Sequence, residues 1–236
     1  MSKDSFRFKR FNISQDKCAM KVGTDGVLLG AWANLPAHGK IADIGTGTGL
    51  LAIMAAQRSP AAEITGIEID GNAAEQAGTN MANSPWSERL AVINSDINAF
   101  YQSHVSEFDC ILSNPPYFTE DIKSHKEKRN VARHTDSLSF AQLANASSQM
   151  LKEGGNLCVI LPLDAVLSFI SEAVVRKLFL KRRTDIITKP NTPPKRVLME
   201  FVKNCPVPET VFEKLVLTCG GTMTEEYRAL TSDFYL

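Results

Sequence analysis

The residues best suited to chemistry lie in the stretch SNPPYF, residues 113–118, where a strand-like run stops at two prolines. Proline cannot donate to a sheet and favours extended geometry in the residue before it, so we expect Asn114 to be the last extended residue of a strand. The turn then presents the neutral Asn114 carboxamide, the Pro115 carbonyl, the stiffening ring of Pro116 and the aromatic face of Tyr117. A plain Pro-Pro turn is the alternative interpretation.

A glycine-rich loop, DIGTGTG, lies earlier in the chain between a strand-like run and a helix-like run. Its glycines are Gly45, Gly47 and Gly49, and Leu50 occupies the position of the last glycine in the dinucleotide motif G-x-G-x-x-G. Glycine permits unusual backbone angles and lets a ligand approach the backbone closely. The loop therefore predicts a ligand site, although glycine at strand–helix turns also serves packing alone.

Acidic residues stand at the ends of three successive predicted strands. Asp43 begins the glycine loop, Glu68 ends the next strand, and Asp96 follows the third. A carboxylate in the second position can accept from both hydroxyls of a ribose, and one in the third could accept from an adenine amino group. Each acid could instead be a solvated loop residue or a helix N-cap, a serious alternative for Asp96. Together with the loop, however, the three favour a nucleoside site.

Strand-like and helix-like runs must position these residues, and they alternate from Lys40 onward. Short, nearly all-apolar strands indicate burial on both faces, so we predict an α/β fold with a doubly wound, mainly parallel sheet and its ligand site at the carboxyl ends of the strands. The last third lacks intervening helices and predicts an antiparallel edge. The strand-like runs are KIADIG, EITGIEID, RLAVIN, FDCILSN, NLCVILP, FLKRRTDIITK, KRVLMEFVK and EKLVLTC; the longest helix-like run is TDSLSFAQLANASSQMLKEGG. Residues 1–39, 119–136 and 189–196 look irregular.

These motifs resemble the class I S-adenosylmethionine-dependent methyltransferases, and most of all their amino-methylating N-P-P-Y branch, over roughly residues 40–165. FRFKRFNISQDKCAMKVGTDGVLLGAW at the front and YRALTSDFYL at the end are similar to the bacterial valine-tRNA adenine-N6 methyltransferases, which modify the adenine beside the anticodon. The resemblance implies a seven-stranded sheet in a methyltransferase domain of residues 40–236, with residues 1–39 packing on the cofactor and substrate side. It also implies S-adenosylmethionine as donor and S-adenosylhomocysteine as product. The implied cofactor residues are Asp43, Gly45, Gly47, Gly49, Glu68 and Asp96, and the implied catalytic residues are Asn114, Pro115, Pro116 and Tyr117.

The N-P-P-Y turn suits methylation of an adenine N6 amine. That amine is planar and a poor nucleophile, and its two N–H groups need two acceptors to draw the nitrogen toward tetrahedral geometry. The Asn114 oxygen and the Pro115 carbonyl supply them, and their bonds strengthen as positive charge develops on nitrogen. Tyr117 offers a stacking face for the extruded base. No general base is required before attack, because the alkylated nitrogen can lose its proton afterwards.

Basic segments in a protein of net charge zero favour an RNA partner. FRFKRF alternates aromatic and basic residues, and two longer basic runs follow it in the chain. The predicted substrate-RNA residues are Lys126, Lys128, Arg129, Arg133, Lys195 and Arg196. A charge run can also be merely a solvated face.

Composition bounds the remaining possibilities. The five cysteines include no C-x-x-C pair and the four histidines show no metal spacing, so we predict neither a disulfide framework nor a metal site. We see no secretory signal and no membrane-spanning stretch, and expect a cytoplasmic enzyme that acts on tRNA without an obligate protein partner. The alternatives are an N-P-P-Y methyltransferase acting on a protein glutamine or on adenine in DNA or rRNA, and a non-catalytic RNA-binding module on the same fold.

Overall fold

The computed structural model of the protein describes residues 4–18, 20–116 and 138–236. Tyr117, Lys126, Lys128, Arg129 and Arg133 lie outside these ranges, and the predictions for them stay predictions. The strands are β1 Ser5–Arg7, β2 Asn12–Ser14, β3 His38–Ile44, β4 Ala61–Glu68, β5 Leu90–Asn94, β6 Phe108–Ser113, β7 Leu151–Pro162, β8 Leu178–Ile187, β9 Arg196–Lys203, β10 Val211–Val216, β11 Thr218–Cys219 and β12 Thr222–Met223. The helices are α1 Thr24–Trp32, α2 Leu50–Arg58, α3 Gly71–Ala82, α4 Ile97–Phe100, α5 Phe140–Met150, α6 Val166–Val175 and α7 Glu225–Thr231.

A central sheet with the strand order β10-β8-β9-β7-β6-β3-β4-β5 organises the described residues. Helices cover both of its faces: α1, α2, α3 and α7 contribute to one hydrophobic cluster, and α5 and α6 to the other. The middle of strand β6, residues 110–112, shows why an apolar run without interruption occurs there. Cys110 and Leu112 face the first cluster while Ile111 faces the second, so alternate residues are buried on opposite faces.

The predicted doubly wound, mainly parallel sheet is confirmed, and so is antiparallel pairing in its C-terminal part, where β9 runs antiparallel to both β7 and β8. The predicted number of seven strands is wrong, since the central sheet has eight within the described residues. The additional strand is β10, which pairs parallel to β8 at the edge. Seven came from the family resemblance, whereas the strand-like runs in the sequence correspond to all eight strands.

The N-terminal part of the chain is more regular than predicted. β1 and β2 form an antiparallel hairpin, and α1 follows as a helix in which seven of nine residues are buried. The sequence did not predict this helix because its two glycines, Gly26 and Gly30, weaken the helical pattern. At Gly30 an added Cβ would lie 2.6 Å from the Met54 sulfur, so the glycine is required for close packing of α1 on α2. The boundary between an N-terminal segment of residues 1–39 and a methyltransferase domain of residues 40–236 stays a prediction.

The boundary between α5 and β7 also differs from the prediction. Helix α5 begins at Phe140, inside the helix-like run that starts at Thr135, because the Ser139 side chain accepts from the Gln142 N–H and the Gln142 side chain accepts from the Ser139 N–H. It ends at Met150, however, rather than at the two glycines that follow, because Leu151 already pairs with Phe108 of β6. Sheet pairing therefore overrides the helical pattern of LKEGG.

Within the described parts of the chain, no helix combines the length and apolarity that crossing a membrane requires. The same residues contain no group of three or more His, Cys, Asp or Glu side chains able to hold a metal ion.

Candidate active site

The glycine loop joins β3 to α2 and has left-handed backbone angles at all three glycines, with φ of 72° at Gly45, 55° at Gly47 and 81° at Gly49. Among the described residues, an added Cβ at Gly45 would meet no atom within 4 Å, and one at Gly47 would meet only the Gly45 carbonyl at 4.0 Å. The backbone there is open to a ligand. Gly49 differs, because its Cβ would lie 3.4 Å from Ala77 of α3. Gly49 therefore serves helix packing as well as the turn.

Asp43, the first predicted cofactor residue, lies beneath this loop and is fully buried. Its Oδ2 accepts a hydrogen bond of 2.6 Å from the Thr46 hydroxyl, whereas its Oδ1 has no partner among the described residues. Burial raises the pKa of the Asp43 carboxyl to about 7; the Thr46 hydrogen bond acts in the opposite direction, and the charge of Glu68 adds to the rise. Asp43 thus supports the loop from below, and its surface is not exposed for direct contact with a bound molecule.

Glu68 ends β4, the strand next to β3, and its carboxylate is held in place by backbone donors. Oε2 accepts from the Gly47 N–H at 2.9 Å, and Oε1 accepts from the Asp70 N–H at 3.0 Å. Since each carboxylate oxygen can accept more than one hydrogen bond, these contacts fix the carboxylate and leave it acceptor capacity. The geometry is compatible with the predicted contact to a ribose.

Ile69 was not singled out from the sequence. It follows Glu68 directly, and 51% of its surface is exposed although it is a large apolar residue. Asn94, at the end of the neighbouring strand β5, donates to the carbonyls of both Glu68 and Ile69 and so fixes this corner. An apolar residue between two acids at a strand end was the available signal, but its exposure cannot be read from the sequence.

Asp96 follows β5 and forms the N-cap of α4. Its Oδ1 accepts from the Asn98 backbone N–H at 2.8 Å and from the Asn98 side chain at 3.0 Å. Asp96 therefore caps helix α4, as the alternative interpretation of the sequence predicted. Asp96 is also exposed, and β5, the strand that it follows, lies next to β4 in the sheet. Asp96 therefore lies at the same edge of the sheet as Glu68, although it caps a helix.

The SNPPYF stretch lies at this edge as well, at the end of β6. The strand ends at Ser113, one residue before the predicted end, and the Ser113 hydroxyl donates to the Ile44 carbonyl at 2.8 Å. The parallel pairing of β3 with β6 runs to Asp43 and Leu112, so Gly45 and Asn114, each two residues further along the chain, follow the two strands at the same edge. Asn114 is half-buried, Pro115 is buried and Pro116 is exposed.

The two predicted RNA residues that the structure describes come to the same edge through the reversal of β9. Arg196 begins that strand opposite Pro162, the last residue of β7, and Lys195 precedes it. The Arg196 guanidinium is partly engaged already, since its Nε donates to Asp25 Oδ2 at 2.8 Å. This ion pair joins the start of β9 to the first turn of α1. Lys195 is exposed.

The chain from Ser14, the last residue of β2, to Cys18 runs beside α3 toward Glu68. The Asn80 side chain accepts from the Ser14 N–H and donates to the carbonyls of Ser14 and Thr48, which ties the segment to the glycine loop. Further along, burial raises the pKa of the Cys18 thiol to about 11, and the nearby carboxylates of Glu68 and Asp70 add to the effect. The pattern of the sequence gave no indication of the Asn80 tether.

Comparison with known proteins identifies close relatives. Residues 23–184 match the family model described as methyltransferase small domain. A Bacteroides fragilis protein named tRNA1(Val) (adenine(37)-N6)-methyltransferase is 44% identical, covering 100% of this chain and 99% of its own. A Yersinia enterocolitica protein of the same name is 42% identical over 98% of this chain and 92% of its own. Among solved structures, a predicted O-methyltransferase from Agrobacterium tumefaciens superimposes with a TM-score of 0.70 at 22% identity, over 89% of this chain and 96% of that one.

Proposed function

We propose, from the premise that the chain belongs to the methyltransferase small domain family and there to the tRNA1(Val) (adenine(37)-N6)-methyltransferases, that it methylates the N6 amine of the adenine beside the anticodon of valine tRNA. The protein is an S-adenosylmethionine-dependent methyltransferase, and its substrate is a tRNA. We also propose that it acts in the cytoplasm. One observation carries the assignment of the site: the glycine loop, Glu68 and Asn114 follow three neighbouring parallel strands and therefore meet at one edge of the sheet.

The described residues fit S-adenosylmethionine. Gly45 and Gly47 leave open space above their backbone, and the half-buried Glu68 carboxylate is fixed with acceptor capacity remaining. Glu68 would accept from the ribose hydroxyls, and the exposed side chain of Ile69 would cover an apolar face of the adenine ring. Asp96, at the neighbouring strand end, would accept from the adenine amino group. The cofactor supplies a methyl group bonded to a positively charged sulfur.

Asn114 and Pro115 would hold the acceptor amine. The Asn114 side-chain oxygen and the Pro115 carbonyl accept its two N–H groups, and both bonds strengthen as charge develops on the nitrogen. A neutral carboxamide meets this need without attracting the positively charged donor. Pro115 is buried, which restricts movement of the turn. Tyr117 would supply the stacking face, a prediction that concerns a residue outside the described ranges.

The test is single-turnover methylation of valine tRNA, followed by digestion and nucleoside analysis. The unmodified protein should produce N6-methyladenosine. Asn114→Ala removes one of two preorganised acceptors, so we expect methyl transfer to slow by about 10²- to 10³-fold while S-adenosylmethionine and tRNA still bind. Asn83→Ala, at the exposed asparagine that follows α3, is the matched control and should transfer methyl groups at the same rate as the unmodified protein.

Four outcomes would contradict the proposal. Methylation at a ring nitrogen or carbon would refute the role of the turn, and so would an unchanged rate in Asn114→Ala. Methyl transfer to protein glutamine, DNA or rRNA in place of tRNA would favour the alternative acceptors. Binding of tRNA with no transfer would indicate a non-catalytic RNA-binding module.

A further inference from the structure

The aromatic-basic alternation of FRFKRF has a clear structural basis and no role in the site described above. Phe8 is 1% exposed and Phe11 is 5% exposed, and their rings stack with centroids 4.6 Å apart. Phe8 also stacks on Tyr235 near the other end of the chain, where the Lys9 N–H donates to the Phe234 carbonyl. The buried rings fix the backbone, so the basic side chains between them point outward from a rigid turn.

These side chains help to form a cavity of about 520 Å³. Its lining residues are Lys9, Arg10, Gln57, Arg58, Ser232 and Asp233. Three of the six are cations and one is an acid, an excess of positive charge in a protein of net charge zero. We call this cavity the terminal cleft, because it lies between the first hairpin and the residues after α7.

The cations of the terminal cleft keep unused hydrogen-bond donors. Among the described residues, Lys9 Nζ makes one bond, to the Ser232 carbonyl, which uses one of its three donors. Arg58 uses Nη1 for the carbonyls of Gly30 and Ala33 and leaves Nη2 and Nε without a described partner. The Arg10 guanidinium lies 5.1 Å from the centre of the Trp86 ring and forms no ion pair with any described residue.

The cleft lies away from the edge that carries Asn114. Helix α2 begins beside the glycine loop and ends at Arg58, so its nine residues separate loop and cleft by about 14 Å at a rise of 1.5 Å per residue. A small molecule seated at the loop would not reach Arg58. A folded RNA is large enough to contact both places, and its phosphates are the anions that arginine and lysine bind best.

We propose that the terminal cleft binds the sugar-phosphate backbone of the same tRNA whose adenine enters the site at the opposite edge. The inference rests on the proposed function and names a second contact for its substrate. Phosphate contacts fix the position of a nucleic acid without reading its sequence. The cleft would therefore raise the affinity for tRNA and orient it, and the chemistry at Asn114 would be unaffected.

The experiment compares Lys9→Ala/Arg10→Ala with the unmodified protein in tRNA binding between about 0.05 and 0.2 M salt and in steady-state methylation. Loss of two phosphate contacts should reduce the slope of log affinity against log salt by about 2. KM for tRNA should rise by about tenfold or more, because each counterion-releasing contact contributes up to about eightfold at 0.1 M salt. The value of kcat and the affinity for S-adenosylmethionine should not change.

Two control variants separate charge at the cleft from charge in general. Lys9→Arg/Arg10→Lys keeps both cations and should retain the salt slope. Lys214→Ala removes an exposed cation of β10 outside the cleft and should leave binding unchanged.

An unchanged salt slope and KM in the double alanine variant would overturn the inference, as would an equal loss in the Lys214→Ala control. A fall in kcat without a rise in KM would also overturn it, since it would indicate a disturbed fold or site. Failure of the unmodified protein to methylate tRNA would instead refute the proposed function, and the binding measurement would still decide whether the cleft contacts RNA.

Discussion

Replacing Asp43 by asparagine should make the difference in stability between the two proteins depend on pH. In the folded protein, burial raises the pKa of Asp43 from 3.8 to about 7. Between these values the folded state binds more protons than the unfolded state, so the free energy of unfolding falls as pH rises and levels off above about pH 7. Over the whole range between the two pKa values, at about 1.36 kcal/mol per pH unit, the loss in free energy of unfolding is at most about 4 kcal/mol.

Asparagine removes the titration and keeps an oxygen that can accept from Thr46. Its amide nitrogen takes the position of Oδ1, which has no described partner, and carries two N–H donors where the neutral carboxyl carries one O–H; each additional unpaired buried donor costs about 1–3 kcal/mol. We therefore expect Asp43→Asn to be less stable than the unmodified protein at pH 5, where Asp43 is neutral. At pH 8 the difference should shrink or change sign.

Urea unfolding followed by circular dichroism from pH 5 to 8 measures both free energies. Asp164→Asn, at an exposed aspartate after β7, is the control and should follow the unmodified protein. If the free energies of unfolding of Asp43→Asn and the unmodified protein change in parallel across this range, the buried carboxyl does not titrate as argued and the reasoning fails.

The remaining predictions also concern the cofactor side. Glu68→Ala should weaken S-adenosylmethionine binding by about 1–3 kcal/mol, the cost of leaving ribose hydroxyls unpaired, and unchanged affinity in calorimetry would remove Glu68 from the site. Gly66→Ala should destabilise the fold by about 1–3 kcal/mol and weaken cofactor binding, because its Cβ would lie 2.8 Å from the Thr46 hydroxyl oxygen that donates to Asp43. Gly71→Ala, whose Cβ would meet nothing closer than 3.7 Å, is the control, and equal unfolding midpoints for the two variants would contradict the packing argument.

The strands and their ends were predictable because local chemistry marks them. Glycines, acids and prolines each interrupt an apolar run, and a parallel sheet brings successive strand ends to one edge. This is why the glycine loop, Glu68 and Asn114 could be grouped from the sequence. The same reasoning gave the Asp96 alternatives, of which the N-cap is realised.

The failures share one physical cause, which is dependence on distant contacts. Helix α1 was missed because its glycines weaken the helical pattern, yet Gly30 is needed against Met54, a residue of another helix. The burial of Asp43 and the exposure of Ile69 likewise depend on how α2 and β5 pack around them. No spacing within the local sequence encodes such contacts.

The reversal of β9 also makes one part of the protein adaptable. Because β8 ends and β9 begins at the functional edge, residues 188–195 connect them there as a simple hairpin. A parallel crossover would need a helix, whereas a hairpin can lengthen freely, and each doubling of a flexible loop costs only about 0.6 kcal/mol. Insertions at this point could extend over the acceptor side while the strands that carry the cofactor residues stay unchanged.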